Sequence, residues 1–158
     1  MLIDKSGICI EFAALQAEHI DGVAEIERSS FKDPWSRAAF NRELENPVAV
    51  YVVALYCGRV IAYGGLWHIL DEGHITNIAV SEGFRGKGVG DALVGRLLET
   101  AAGMGMRRFT LEVRVSNSAA RSLYEKHGFV CAGIRRGYYQ DGEDAAIYWT
   151  EDPDAVDN

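Results

Sequence analysis

Cysteine is scarce in this chain. Cys9, Cys57 and Cys131 are the whole set, their number is odd, and no C-x-x-C occurs. Long spacings and an odd count argue against a disulfide framework. Each cysteine sits in an apolar, strand-like run, so the expectation is three buried free thiols in a reducing compartment. Positive charge is also in deficit: the formal net charge is -7. Nucleic acid as the main ligand needs a net basic surface and is therefore excluded, although a small local basic site for an anion is not. A cationic macromolecular substrate suits the overall field. No apolar run is long enough to span a bilayer, so no membrane association is expected. Met1 to Lys5 carries no basic region followed by a long apolar one, so no signal peptide is expected and the cytoplasm is the default. Internal repeats and low-complexity linkers are absent.

What is present is hydrophobic patterning of a single domain over residues 1–150, followed by an acidic tail, 151–158. Ile8 to Phe12 reads as a strand. Ala17 to Glu27 reads as a helix, with Ile20, Val23, Ala24 and Glu27 at helical spacing. Asp33-Pro34 interrupts the chain, and Ser36 can cap a second helix to about Glu45, closed by Asn46-Pro47. Val48 to Leu55 and Arg59 to His68 read as strands joined by a Cys57-Gly58 hairpin turn, with a bulge suggested by Gly64-Gly65. His74 to Val80 is a further strand. A Gly-rich stretch leads into a helix from Val89 to Ala102, with Gly103 as its stop. Arg108 to Val113, a helix from Asn117 to His127 ended by Gly128, and strands Phe129 to Ile134 and Glu143 to Thr150 complete the order. The class is mixed α/β (α+β), with a sheet of about seven strands, antiparallel at first, and about four helices.

The Gly-rich stretch Arg85-Gly86-Lys87-Gly88-Val89-Gly90 joins a strand to a helix N-terminus. Such a terminus presents unpaired backbone N–H groups and a partial positive charge. Glycines allow the backbone close to an anion, and Arg85 and Lys87 add charge. The P-loop string G-x-x-x-x-G-K-[ST] does not occur. The dinucleotide pattern G-x-G-x-x-G fails because Asp91 stands at its last position. What remains is R-x-x-G-x-G, which by itself is either an anion site or a plain strand-to-helix turn.

Three further residues carry candidate chemistry. Glu112 lies in a strand between Leu111 and Val113, which point to the other face. Tyr124 lies on the apolar face of the next helix, and Asn117 starts that helix. Taken singly they read as a solvated carboxylate, a core aromatic and an N-cap. Amide formation from an amine and a thioester connects them. The amine must lose a proton, which a carboxylate can take, and a departing thiolate needs one, which a phenol can give. Backbone N–H groups on a splayed strand can polarise the carbonyl. His68 and His74 lack metal-ligand spacing, so no metal is expected. No Gly-x-Ser-x-Gly or Cys-His pattern supports a covalent acyl-enzyme.

The combination Asn77-Ile78-Ala79-Val80, R-x-x-G-x-G, Leu111-Glu112-Val113-Arg114 and Ser116-Asn117-x-x-Ala120-x-x-Leu123-Tyr124-x-x-x-Gly128-Phe129 closely resembles the GNAT superfamily of N-acetyltransferases over nearly the whole chain. Within it the chain looks like the ribosomal-protein-alanine N-acetyltransferases (RimI type), through Phe31-x-x-Pro34-Trp35-Ser36 and Arg135-Arg136-Gly137-Tyr138-Tyr139 followed by Glu143-Asp144-Ala145. The resemblance implies the GNAT fold, acetyl-CoA as co-substrate, and a protein N-terminus, that of a ribosomal protein, as partner. It implies Glu112 as proton acceptor and Tyr124 as proton donor. It further implies contacts to acetyl-CoA from Ile78, Ala79, Val80, Arg85, Gly86, Lys87, Gly88, Val89, Gly90, Asp91 and Asn117. Trp35 and Tyr138 are candidates for an acceptor groove, or simply packing aromatics. Tyr148-Trp149 departs from the family's usual small or methionine-like ending. A lysine side chain or a small amine as acceptor, and a non-catalytic acyl-CoA-binding module, are the competing readings.

Overall fold

The computed structural model describes residues 9–150 and the backbone of a two-residue strand, β1 (Leu2–Ile3). The chain continues through β2 (Cys9–Ala14), α1 (Ile20–Ser30), α2 (Arg37–Leu44), β3 (Ala49–Tyr56), β4 (Arg59–Ile69), β5 (Glu72–Val80) and α3 (Val89–Gly103). It ends in β6 (Arg108–Arg114), α4 (Ser118–Lys126), β7 (Val130–Arg135) and β8 (Ala145–Trp149). The expected order of helices and strands is present, with β1 in addition. Ile8, where the first strand was expected to start, and the acidic tail 151–158 lie outside the described residues. Among the described residues no helix is long and apolar enough to cross a membrane.

All strands join one sheet in the order β1-β2-β3-β4-β5-β6-β8-β7. Every neighbouring pair is antiparallel except β5 and β6. Alternation along the strands sends side chains to two cores. On one face Leu66, Ile75, Phe109, Leu111 and Tyr148 pack against Leu93, Val94 and Leu97 of α3 and Tyr124 of α4. On the other, Tyr51, Val53, Tyr63 and Ala79 pack against Ile20, Val23 and Ile26 of α1 and Phe40 of α2. Leu93 and Leu97 are fully buried, and each contributes about 1.5–3 kcal/mol. The helices cover β2 to β5 on the second face, where α1 touches β4 and β5.

Local signals explain the helix ends. Ser36 Oγ accepts the Ala39 N–H at 3.1 Å and starts α2. Asn117 Oδ1 accepts the Ala120 N–H at 3.2 Å and starts α4. At Gly65 a Cβ would enter the Tyr51 ring, so the strand there requires glycine. The expected bulge follows at once, as a register shift between Gly65 and Leu66 against β5.

Two expectations are corrected. All three cysteines are exposed. Cys9 points outward from β2 next to buried Ile10. Cys57 sits in the hairpin turn with φ 50°. Cys131 is on β7, an edge strand flanked only by β8 and irregular at Cys131–Gly133. Apolar sequence context did not bury Cys57 or Cys131 because a turn and a sheet edge have no second layer. The stop of α3 also lies later than expected. Gly103 is still helical, and the left-handed residue is Gly105, with φ 95°.

Candidate active site

The parallel pair β5 and β6 is joined only at Glu72–Arg108, Gly73–Phe109 and His74–Thr110. Beyond that point the strands part. Ile78, Ala79 and Val80 lie on one arm of the opening and Glu112 on the other. The loop after β5 closes the cofactor side. Gly86 and Gly88 take φ of 75° and 85°, which favours glycine. Nothing lies within 4 Å of where a Cβ would sit on either, so the space beside both glycines is open. No side chain caps α3, leaving its first N–H groups and dipole facing that space. Lys87 makes no ion pair or hydrogen bond among the described residues. These features fit an anionic pyrophosphate.

Arg85 and Asp91 are placed otherwise than a simple phosphate clamp would require. Arg85 Nε donates to the Val80 carbonyl at 2.9 Å and its guanidinium reaches Ser30 Oγ at 3.2 Å, which fixes the turn into the loop. Asp91 accepts from His127 at 2.8 Å and from Lys126 at 3.1 Å. It ties the first turn of α3 to the end of α4, and those partners hold its carboxyl below the usual range, Lys126 foremost. Its side chain is thus engaged away from the loop.

Glu112 Oε2 lies 2.8 Å from His74 Nε2, with both side chains half-buried on the second face. The hydrogen bond from His74 lowers the Glu112 pKa, against burial, with Arg135 adding to the lowering. The same bond raises the His74 pKa. Tyr124 is buried in the other core against Phe129. Burial pushes its phenol up, and its hydroxyl has no hydrogen-bond partner among the described residues. Tyr139, pushed to about 12 chiefly by burial, feels the charge of Glu112, and Tyr124 feels Tyr139 in turn. Asn117, half committed to its cap, stands at the start of the same helix as Tyr124.

The acceptor side is aromatic. Trp35 packs on Phe40 at 5.6 Å and on Trp67 at 6.3 Å between ring centroids. Trp67 starts a row of directly paired residues across the sheet: Trp67, His74, Thr110, Trp149 and Val130. Trp149 is thus absorbed into this face, with the Arg108 guanidinium 4.6 Å above its ring. Tyr138 stands edge-on to Tyr139 at 5.0 Å and is exposed. Burial and then Glu112 raise its pKa. Arg114 binds Asp141 at 2.9 Å and Glu143 at 3.0 Å, and lies 4.0 Å over Tyr139. Lys32 reaches the same Asp141 at 3.1 Å, so loops 31–36 and 136–144 are linked beside Glu112.

The sequence offers His74 only as a metal ligand, Tyr139 only beside Tyr138 as a groove or packing aromatic and Glu27 only as part of a helical stripe, and it does not single out Glu43. For Glu27 a signal existed, an acid on the apolar stripe of α1. For His74 none did, because its meeting with Glu112 depends on the register of two strands separated by a helix.

A strand pair split beside an uncapped Gly-rich helix terminus, with a carboxylate on one arm, defines an acyl-CoA-dependent transferase geometry. The profile of the Acetyltransferase (GNAT) family matches residues 20–129, and the chain belongs to this family of N-acetyltransferases. GNAT acetyltransferases use acetyl-CoA. A Bacillus subtilis protein, named provisionally as a [ribosomal protein bS18]-alanine N-acetyltransferase, is 45% identical over 137 residues, covering 85% of this chain and 91% of that protein. The [ribosomal protein bS18]-alanine N-acetyltransferase of Escherichia coli K12 is 33% identical, covering 85% and 92%. The crystal structure of the ribosomal-protein-S18-alanine N-acetyltransferase from Escherichia coli superposes with a TM-score of 0.85 at 32% identity, covering 95% and 98%.

Proposed function

We propose that the protein acetylates the α-amine of a protein N-terminus, specifically the N-terminal alanine of a small-subunit ribosomal protein in the cytoplasm, by direct transfer. The observation that carries the mechanism is the Glu112–His74 pair at the mouth of the β5–β6 split. The names and similarity of the relatives support the acceptor. An α-ammonium, with a pKa of about 8, needs only a modest base. Glu112 takes its proton, directly or through water. Acetyl-CoA supplies an activated thioester carbonyl. Ile78, Ala79 and Val80 offer backbone along the arm where the acyl chain lies, and an N–H there stabilises charge on the carbonyl oxygen. As the C–N bond forms and the C–S bond breaks, Tyr124 gives its proton to the departing sulfur, and solvent then restores both side chains. Its unpartnered hydroxyl supports this role, because a buried phenol is normally hydrogen-bonded.

For the cofactor, Gly86 to Gly90 and the first amides of α3 hold the pyrophosphate, with Lys87 as the free cation. Arg85 shapes the turn, Asp91 contributes through its backbone and its tie to α4, and Asn117 orients the start of α4. Trp35 and Tyr138 flank the acceptor. Incubation with acetyl-CoA and a peptide beginning Ala-Arg should release CoA and leave an acetylated α-amine. No turnover on any free N-terminal peptide would sink the proposal.

A further inference from the structure

Two carboxylates outside the split are almost wholly buried. Glu27 of α1 is 2% exposed and Glu43 of α2 is 7% exposed. Among the described residues neither has a cationic partner, and the oxygens of each are satisfied by hydrogen bonds instead. Glu27 Oε1 accepts from the Tyr63 hydroxyl and from Asn77 Nδ2, and its Oε2 accepts the Trp35 backbone N–H at 3.2 Å. Glu43 Oε1 accepts from Trp67 Nε1 at 2.9 Å and from the Tyr51 hydroxyl at 3.2 Å, and its Oε2 accepts from Asn46 at 2.8 Å. Tyr51 Oη lies 3.3 Å from Thr76 Oγ1.

The far ends of these links are not random. Trp35 and Trp67 are the tilted pair of tryptophans on the acceptor side. Asn77 pairs with Gly65 and Ile75 with Leu66, so Thr76 is the extra residue of the β5 bulge. Thr76 Oγ1 also bonds Asn77 Oδ1 at 2.8 Å, so two successive side chains point to one face. Asn77 immediately precedes Ile78, Ala79 and Val80. Glu27 therefore joins the Trp35 backbone directly to Asn77, and Glu43 joins the Trp67 indole to the Tyr51 hydroxyl, which lies beside Thr76 of the bulge that leads into the acyl arm.

An unpaired buried charge is costly, and apolar replacements of buried ionic groups are often neutral or stabilising. Stability alone does not account for two of them. We infer that Glu27 and Glu43 are positioning residues that hold the acceptor tryptophans in register with the bulged strand, so that occupancy of the acyl arm is felt at Trp35 and Trp67. This inference rests on the acetyl-transfer reading and deepens it.

Nitrogen-15-labelled protein titrated with CoA tests the link. In wild type, CoA should move the Trp35 backbone amide and the Trp67 indole resonances. Glu27→Gln offers an NH2 where either the Trp35 N–H or the Asn77 and Tyr63 donors need an acceptor, so the Trp35 response should vanish. The acceptor KM should rise roughly tenfold, the equivalent of one charge-assisted hydrogen bond, with the acetyl-CoA KM unchanged. Trp67→Phe, which removes the indole donor to Glu43 together with part of the ring beside Trp35, should raise the acceptor KM in the same way. Tyr63→Phe removes a bond from Glu27 without touching either link, and should leave both KM values as they are. Equal losses of thermal stability in Glu27→Gln and Tyr63→Phe with no change in KM would overturn the inference. So would an unchanged acceptor KM in Trp67→Phe, which decides alone if Glu27→Gln does not fold. CoA shifts confined to residues 85–91 would overturn the coupling and leave acetyl transfer standing. No CoA-induced shift anywhere would overturn both.

Discussion

The His74 imidazole and the Glu112 carboxylate face each other at 2.8 Å where the β5–β6 pairing ends, His74 in its last paired step and Glu112 past it on β6. Their pairing sets a pH window. The Glu112 pKa is lowered, so its contribution to stability is present above the ordinary carboxylate range and is lost as pH falls through the depressed value. The His74 pKa is raised from 6.5, so its contribution is complete below 6.5 and is lost as pH rises through the raised value. As a base the carboxylate behaves in the opposite sense. The imidazolium weakens it, and loss of the His74 proton restores its basicity. The profile of kcat/KM should therefore rise with pH through a limb above 6.5. Arg135 is the other cation acting on the pair. In His74→Asn that limb should disappear, while the limb belonging to the acceptor amine stays. Steady-state kinetics across pH with both proteins checks this.

Glu112→Gln and Tyr124→Phe each remove one proton-transfer group. Turnover should fall by about two to four orders of magnitude in each, with CoA affinity nearly intact by calorimetry. Wild-type rates in both across pH would refute the assigned roles.

Lys87 is the loop cation with no partner among the described residues. Lys87→Ala should raise the acetyl-CoA KM roughly tenfold through loss of one charge-assisted contact. The wild-type KM should rise with ionic strength, and the variant's should rise less. Asp91→Asn should instead cost about 0.2–1 kcal/mol in the unfolding midpoint, as expected for a partly exposed ion pair.

Arg114 joins Asp141, Glu143 and the Tyr139 ring, and through Asp141 it joins Lys32. Arg114→Ala frees loop 136–144 from this anchor. The acceptor KM should increase roughly tenfold, and acetyl-CoA binding should hold. Product formation at varied acceptor concentration reads the split.

Much of this was legible in the chain because it is local. Ser36 and Asn117 cap where a short polar side chain precedes an apolar helix stripe, and Cys57-Gly58 turns where a hairpin was expected. The Gly-rich loop, Glu112 and Tyr124 stood at spacings that resemble one superfamily. What stayed hidden is non-local. The three-step ladder between β5 and β6 is separated by all of α3, so the sequence does not show that His74 meets Glu112. Edge position, not composition, exposes Cys131. Tyr139 reads as a neighbour of Tyr138, yet it is the ring beneath Arg114, within the field of Glu112 and acting in turn on Tyr124. Glu27 was counted on the apolar stripe of α1 without asking what a carboxylate does there.

The proposed acceptor is the N-terminal alanine of a small-subunit ribosomal protein. Intact-mass and N-terminal peptide mass spectrometry of ribosomal proteins, from cells with and without the enzyme, tests it most directly. The account predicts one small-subunit protein carrying an acetylated N-terminal alanine only when the enzyme is present, and not when Glu112→Gln replaces it. Identical N-terminal acetylation of every ribosomal protein in both cell populations would contradict it.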